Sequence, residues 1–98
     1  MMEIIEMFDE KFEIAVPRRI LNDKRINASA KLLFGIVYTD GRGVSALVRY
    51  DELAKQMGLS YRTVRSYLKD LEDCNYLKRR IVKDSDLRII DLTPQEFG

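Results

Sequence analysis

The chain has no histidine, no tryptophan, a single cysteine and only two prolines among its 98 residues. Without histidine it lacks the commonest general base and the commonest metal ligand. With Cys74 alone, no disulfide can form within the chain, and a reducing compartment is the default. Scarce proline and five glycines leave little room for linkers, and neither repeats nor low-complexity tracts are present. The longest apolar run, LLFGIVY at 32–38, is too short to span a bilayer. The opening MMEIIEMFDE is acidic where a secretory signal needs positive charge. These absences lead us to expect a soluble, cytoplasmic protein with no membrane partner.

Candidates for chemistry are equally thin. Gly41 and Gly43 lack the lysine and hydroxyl residue of a phosphate-binding loop. Asp70, Glu72 and Asp73 crowd together, but Asp70 and Asp73 read as solvated carboxylates on an exposed face rather than a nuclease site, and Cys74 as a small apolar helix residue rather than a nucleophile. No enzyme, cofactor or metal is expected.

Charge is plentiful but unevenly placed. Glu3, Glu6, Asp9, Glu10 and Glu13 face only Lys11 in residues 1–16, a balance of −4, so a chain of net +1 carries +5 elsewhere. Between Ser60 and Lys83, seven bases oppose three acids. An acidic head and a basic body can cancel in the total while leaving one positive face.

The apolar spacing predicts an α+β domain. Residues 1–11 suit an amphipathic turn or two, with Ile4, Ile5, Met7 and Phe8 on one side. FEIAV (12–16) alternates like a short strand, and Pro17 opens a short helix stopped at Asn22-Asp23. Asn27 caps a helix over 27–38 whose Ala30, Leu33, Phe34 and Val37 form one stripe. TDGRG is a turn, and VSALV (44–48) is a strand or simply extended. Asp51 is the expected cap of the next helix, which Gly58 closes in the left-handed conformation. Ser60 caps a longer helix ending near Asn75. Two β-rich runs, 76–83 and 87–92, joined at Asp84-Ser85-Asp86, form a hairpin.

The stretch LAKQMGLSYRTVRSYLKDLE (53–72) decides what kind of domain this is. Two short helices joined by about three residues cross steeply, with their backbones close together. That geometry asks for a small residue on the first, glycine at the corner and a branched apolar residue on the second. Ala54, Gly58 and Val64 stand there, with Leu53, Met57, Leu59 and Tyr67 around them. The motif is a helix-turn-helix, and the terminal hairpin makes it a winged one.

On the second helix Val64, Tyr67, Leu68 and Leu71 point inward. Ser60, Tyr61, Arg62, Arg65, Ser66 and Lys69 are left outside, where a helix end in a major groove would present them to bases and phosphates. Lys78, Arg80, Lys83 and Arg88 would form a basic wing, with Leu77, Ile81, Ile90 and Leu92 anchoring the strands. Polar hairpin edges also serve solubility, so both readings of the wing bases stand. The inward partner of Arg79 is undefined.

VPRRILNDKRINASAKLLFGIVY, then LAKQMGLSYRTVRSYLKDLEDCNYLKRR and LRIIDLT, resemble the winged-helix N-terminal domain of plasmid and phage replication initiators and the related replisome organisers. The resemblance runs from about Phe12 to Thr93. Its helix-turn-helix portion is shared by many bacterial winged-helix regulators, whereas ILNDKRINASAKLLFG points more narrowly to replication. It implies double-stranded DNA as partner through the residues just named, a bacterial mobile element as source, and a role in replication initiation or its control. Such initiators continue into a further domain, so two expectations remain: an excised domain or a stand-alone protein.

The domain plan is therefore an acidic, apolar segment at 1–11, a winged helix at 12–93 and a tail at 94–98. Alternatives are a stand-alone transcriptional regulator and a protein-interaction module whose docking segment is MMEIIEMFDE. Paired half-sites would favour a homodimer, and a replication or regulatory protein is a further candidate partner.

Overall fold

In the computed structural model the chain is described at residues 2–6, as backbone only, and at 13–94. Two strands, β1 (Met2–Glu6) and β2 (Glu13–Pro17), lead into helix α1 (Arg18–Leu21) and the long helix α2 (Ala28–Asp40). Strand β3 (Ser45–Arg49) runs into helix α3 (Tyr50–Met57), which is followed by α4 (Tyr61–Asp73) and the hairpin β4 (Leu77–Ile81) and β5 (Leu87–Leu92). β1 and β2 pair antiparallel, and a second antiparallel sheet has the order β3-β5-β4. This is a winged helix-turn-helix fold.

Helix α2 is the axis of the core. Its cap is the expected one: the Asn27 side chain accepts the Ala30 N–H at 2.8 Å. The apolar stripe is wider than its spacing suggests, because every residue from Leu33 to Tyr38 is buried. A second covering surface explains this. β2 lies along the helix, contributes the fully buried Ile14 and Val16, and is tied to it by the Ala15 N–H, donated to Thr39 Oγ1 at 2.8 Å.

Gly35 permits that approach. A Cβ there would stand 2.5 Å from Ile14 Cγ2 and 2.6 Å from Val16 Cγ2. Helix propensity alone favours Gly35→Ala by about 1 kcal/mol. Overpacking against two buried, β-branched side chains costs about 1–3 kcal/mol, so a net loss is expected, read as a lower urea midpoint.

Two local expectations are corrected, and one open alternative is resolved. Residues 2–6 form a strand rather than helical turns; the side-chain part of that expectation, and Phe12 as a strand-face residue, lie outside the described residues. Asp51 does not cap α3, which begins at Tyr50 after Arg49 and has no side-chain cap. Asp51 sits in the first turn, where its carboxylate still complements the helix dipole. Strand β3 is real and pairs with β5, so the wing hairpin is the outer part of a three-stranded sheet.

A polar lock holds α1 and α2 to the end of α4. The Tyr76 hydroxyl donates to Asp23 Oδ2 at 2.5 Å, and Arg25 grips the same carboxylate with Nε and Nη2 at 3.0 and 2.7 Å. Arg25, then Tyr76, hold the Asp23 carboxyl far below the usual range. A depressed carboxyl stabilises the fold fully above its unfolded pKa, about 3.9, and progressively less as pH falls below it. The gap in urea midpoint between the native chain and Asp23→Asn should therefore be full at about pH 6 and narrow at about pH 2.5.

Candidate nucleic-acid interface

The turn between α3 and α4 is built as its residues require. Gly58 is left-handed at φ 67°, and the Leu59 N–H returns to the Ala54 carbonyl at 2.9 Å, closing α3. Ala54 and Val64, on facing helices, are buried. The Ser60 hydroxyl accepts the Thr63 N–H at 3.1 Å and lies 2.8 Å from the Thr63 hydroxyl. Ser60 is thus at the exposed tip of α4, with its hydroxyl engaged in capping.

Val64, Leu68 and Leu71 of α4 are fully buried and Tyr67 half-buried, which turns Arg62, Arg65, Ser66 and Lys69 outward. Among the described residues no carboxylate pairs with Arg62 or Arg65. Their guanidiniums are uncommitted. Lys69 is held at 2.9 Å by Asp73 one turn on, which raises its pKa. That exposed pair contributes little and can exchange for a phosphate.

Strand register sorts the wing. Lys78 and Arg80 lie opposite Asp91 and Ile89, whereas Arg79 and Ile81 lie opposite Ile90 and Arg88. Paired residues share a face, so the four proposed wing bases do not act as one group. Lys78 and Arg80 occupy the outer face, where Arg80 is bidentate to Asp91 at 2.5 and 2.9 Å. Arg88 is on the inner face, its guanidinium 5.8 Å from the centroid of the Tyr50 ring. Lys83 is exposed beside the turn joining the strands.

Ile81 is a further correction. It was expected to anchor the wing, yet it is 75% exposed. Its cross-strand partner is Arg88 and its neighbour on the same face is Arg79, so by this point the inner face has left the core and become the wall of a cleft. That cleft, about 430 Å³, separates α4 from the wing and is lined by Tyr50, Tyr61, Arg65, Glu72, Arg79 and Arg88, with Arg80 and Ile81 also along it. A hollow of similar size along the outer side of α4 is lined by Tyr61, Arg62, Arg65, Ser66, Lys69 and Arg79.

Sequence reasoning missed Arg79 and Tyr50. Arg79 is drawn to Glu72, which takes its backbone N–H at 3.1 Å and its Nη2 at 2.9 Å. Arg79 in turn lowers the Glu72 pKa. Glu72 is therefore committed to the wing, unlike the neighbouring Asp70. The signal was the alternation that put Arg79 on the same face as Leu77. Tyr50, 5% exposed, meets the Tyr61 ring at 5.8 Å; its role was hidden by the cap assigned to Asp51.

Residues 24–77, more than half of the chain, match a family described as a helix-turn-helix domain. The chain belongs to that helix-turn-helix family. The matched span covers α2 to the start of β4 and so includes the whole helix-turn-helix, while most of the wing lies beyond it. No match was found among curated proteins or among solved structures. Membership supports DNA as the partner of this domain. Among the described residues, no helix is long and apolar enough to cross a membrane.

Proposed function

We propose that the protein binds double-stranded DNA in a sequence-specific manner, with the N-terminal half of α4 in the major groove and the wing beside it. The observation that carries this reading is the pair of exposed guanidiniums, Arg62 and Arg65, without carboxylate partners among the described residues, at the start of a helix-turn-helix second helix. Arginine can take guanine O6 and N7 with two parallel hydrogen bonds, which phosphate contacts alone cannot replace for sequence reading. Tyr61, Ser66 and Lys69 flank these arginines, Arg88 faces the cleft, and Ser60 fixes the helix end. Lys78, Arg80 and Lys83 take the outer, phosphate-steering role.

The binding unit proposed is 12–93, and the setting is replication initiation or its control on a bacterial plasmid or phage, a role drawn from the resemblance of ILNDKRINASAKLLFG. A homodimer on paired half-sites belongs to the same reading. No catalytic step is part of it.

Selection from a random-sequence duplex pool at two salt concentrations tests the proposal. Enrichment of one motif supports a sequence reader, and a doubled motif at a spacing of about 10 base pairs supports the dimer. Salt-sensitive binding with no enriched motif contradicts sequence-specific reading.

A further inference from the structure

We infer that Arg79 is a DNA-backbone anchor, fixed by Glu72 so that its guanidinium takes a phosphate between α4 and the wing. The inference rests on the DNA-binding reading above and adds to it a residue that the helix face alone does not reveal.

Position is the first argument. Arg79 lines both the cleft behind α4 and the hollow along its outer side, as do only Tyr61 and Arg65 among the residues around those two spaces. A strand residue thereby joins the wall of the helix surface offered to the groove. Its side chain is 23% exposed, well placed to meet a ligand from a fixed position.

Its fixation is the second. Glu72 uses one oxygen on the Arg79 backbone N–H and the other on Nη2, so strand and guanidinium are aimed by one carboxylate. Guanidinium carries five N–H donors, and a single bond to Glu72 leaves others for an incoming oxygen. Tyr50 lines the same cleft and supports Arg88 with its ring.

Charge is the third. A pair with a purely structural task would be neutral in its surroundings, but this cleft gathers Arg65, Arg79, Arg80 and Arg88 around the single carboxylate of Glu72. Arg80 has Asp91 on the outer face, yet Arg65 and Arg88 have no carboxylate among the described residues. The surplus is balanced when a phosphodiester enters. A partly buried ion pair also stabilises little beyond what an apolar pair of similar volume would give, so folding alone does not explain its presence.

The test is the double variant Glu72→Gln/Arg79→Gln. It leaves net charge unchanged and keeps two hydrogen-bonding side chains, with Glu72→Gln isosteric and Arg79→Gln shorter. Affinity for a duplex is measured across a salt series for the native chain, the double variant and Arg79→Lys, with circular dichroism and thermal melting reporting the fold. The slope of log K against log salt should fall in magnitude by about 0.9, one phosphate contact, in the double variant. Arg79→Lys should keep the slope and bind more weakly, because an ammonium cannot hold Glu72 and a phosphate in one plane. An unchanged slope in a folded double variant would overturn the inference while leaving DNA binding intact. So would an equal loss of slope in Arg79→Lys, which assigns the effect to a disturbed wing. Absence of salt-dependent binding by the native chain would instead remove the DNA-binding reading on which the inference rests.

Discussion

The double substitution Arg62→Ala/Arg65→Ala is expected to weaken binding to the preferred duplex by roughly 30-fold to 10⁴-fold, from about 1–3 kcal/mol lost at each arginine. Two features of the structure set that size. Both side chains are exposed on the first turns of α4, and among the described residues neither has a carboxylate to release before it meets DNA. For the same reason folding should be nearly indifferent, with a change within about ±0.5 kcal/mol, the usual result for surface positions without partners. Affinity lost with the melting curve unchanged locates the function on this face. A folded double variant that binds as tightly as the native chain would exclude α4 as the groove-reading helix.

Phe34→Ala carries the largest expected effect on stability, a loss of about 3–5 kcal/mol. The ring is fully buried and sits 5.6 Å from the Tyr38 ring and 6.1 Å from that of Tyr76. It therefore joins α2 to the residue that carries the Asp23 lock. Helices and sheets surround α2, so the site cannot collapse easily to fill the void. Domains of this size have a total stability of about 5–15 kcal/mol, so a drop of 10 °C or more in melting temperature is expected. A loss under about 1 kcal/mol would mean that the core is not packed around this ring.

Much of the fold was legible because its local signals agree with its tertiary contacts. Asn27, Gly58 and Ser60 act as their chemistry requires, since caps and left-handed corners depend on the neighbouring few residues. The inward face of α4 was legible too, because one periodic stripe packs against one surface. The burial of Ile36 and Tyr38 was not, as it depends on β2 arriving from the other side. Nor was the pairing of β3 with β5, which joins residues some forty positions apart and has no local signature.

The candidate site divides along the same line. Tyr61, Arg62, Arg65, Ser66 and Lys69 follow from helical spacing alone. The wing depends on register, and one-residue alternation separates Arg88 from Lys78 and Arg80. Ile81 looked like core by alternation but lies past the point where any helix covers the sheet. Arg79 and Glu72 meet because the end of α4 returns directly into β4, through Asn75 at φ 65° and the Tyr76 N–H donated to the Leu71 carbonyl.

The central claim is where DNA sits, and amide chemical-shift mapping tests it most directly. Isotope-labelled protein would be titrated with a duplex carrying the selected motif. The account predicts the largest shifts at residues 60–69 and on the inner wing at Arg79, Ile81 and Arg88, with α1 and the outer-face Leu47 little changed. Shifts concentrated on β2, α1 or the outer sheet face, with α4 silent, would contradict it.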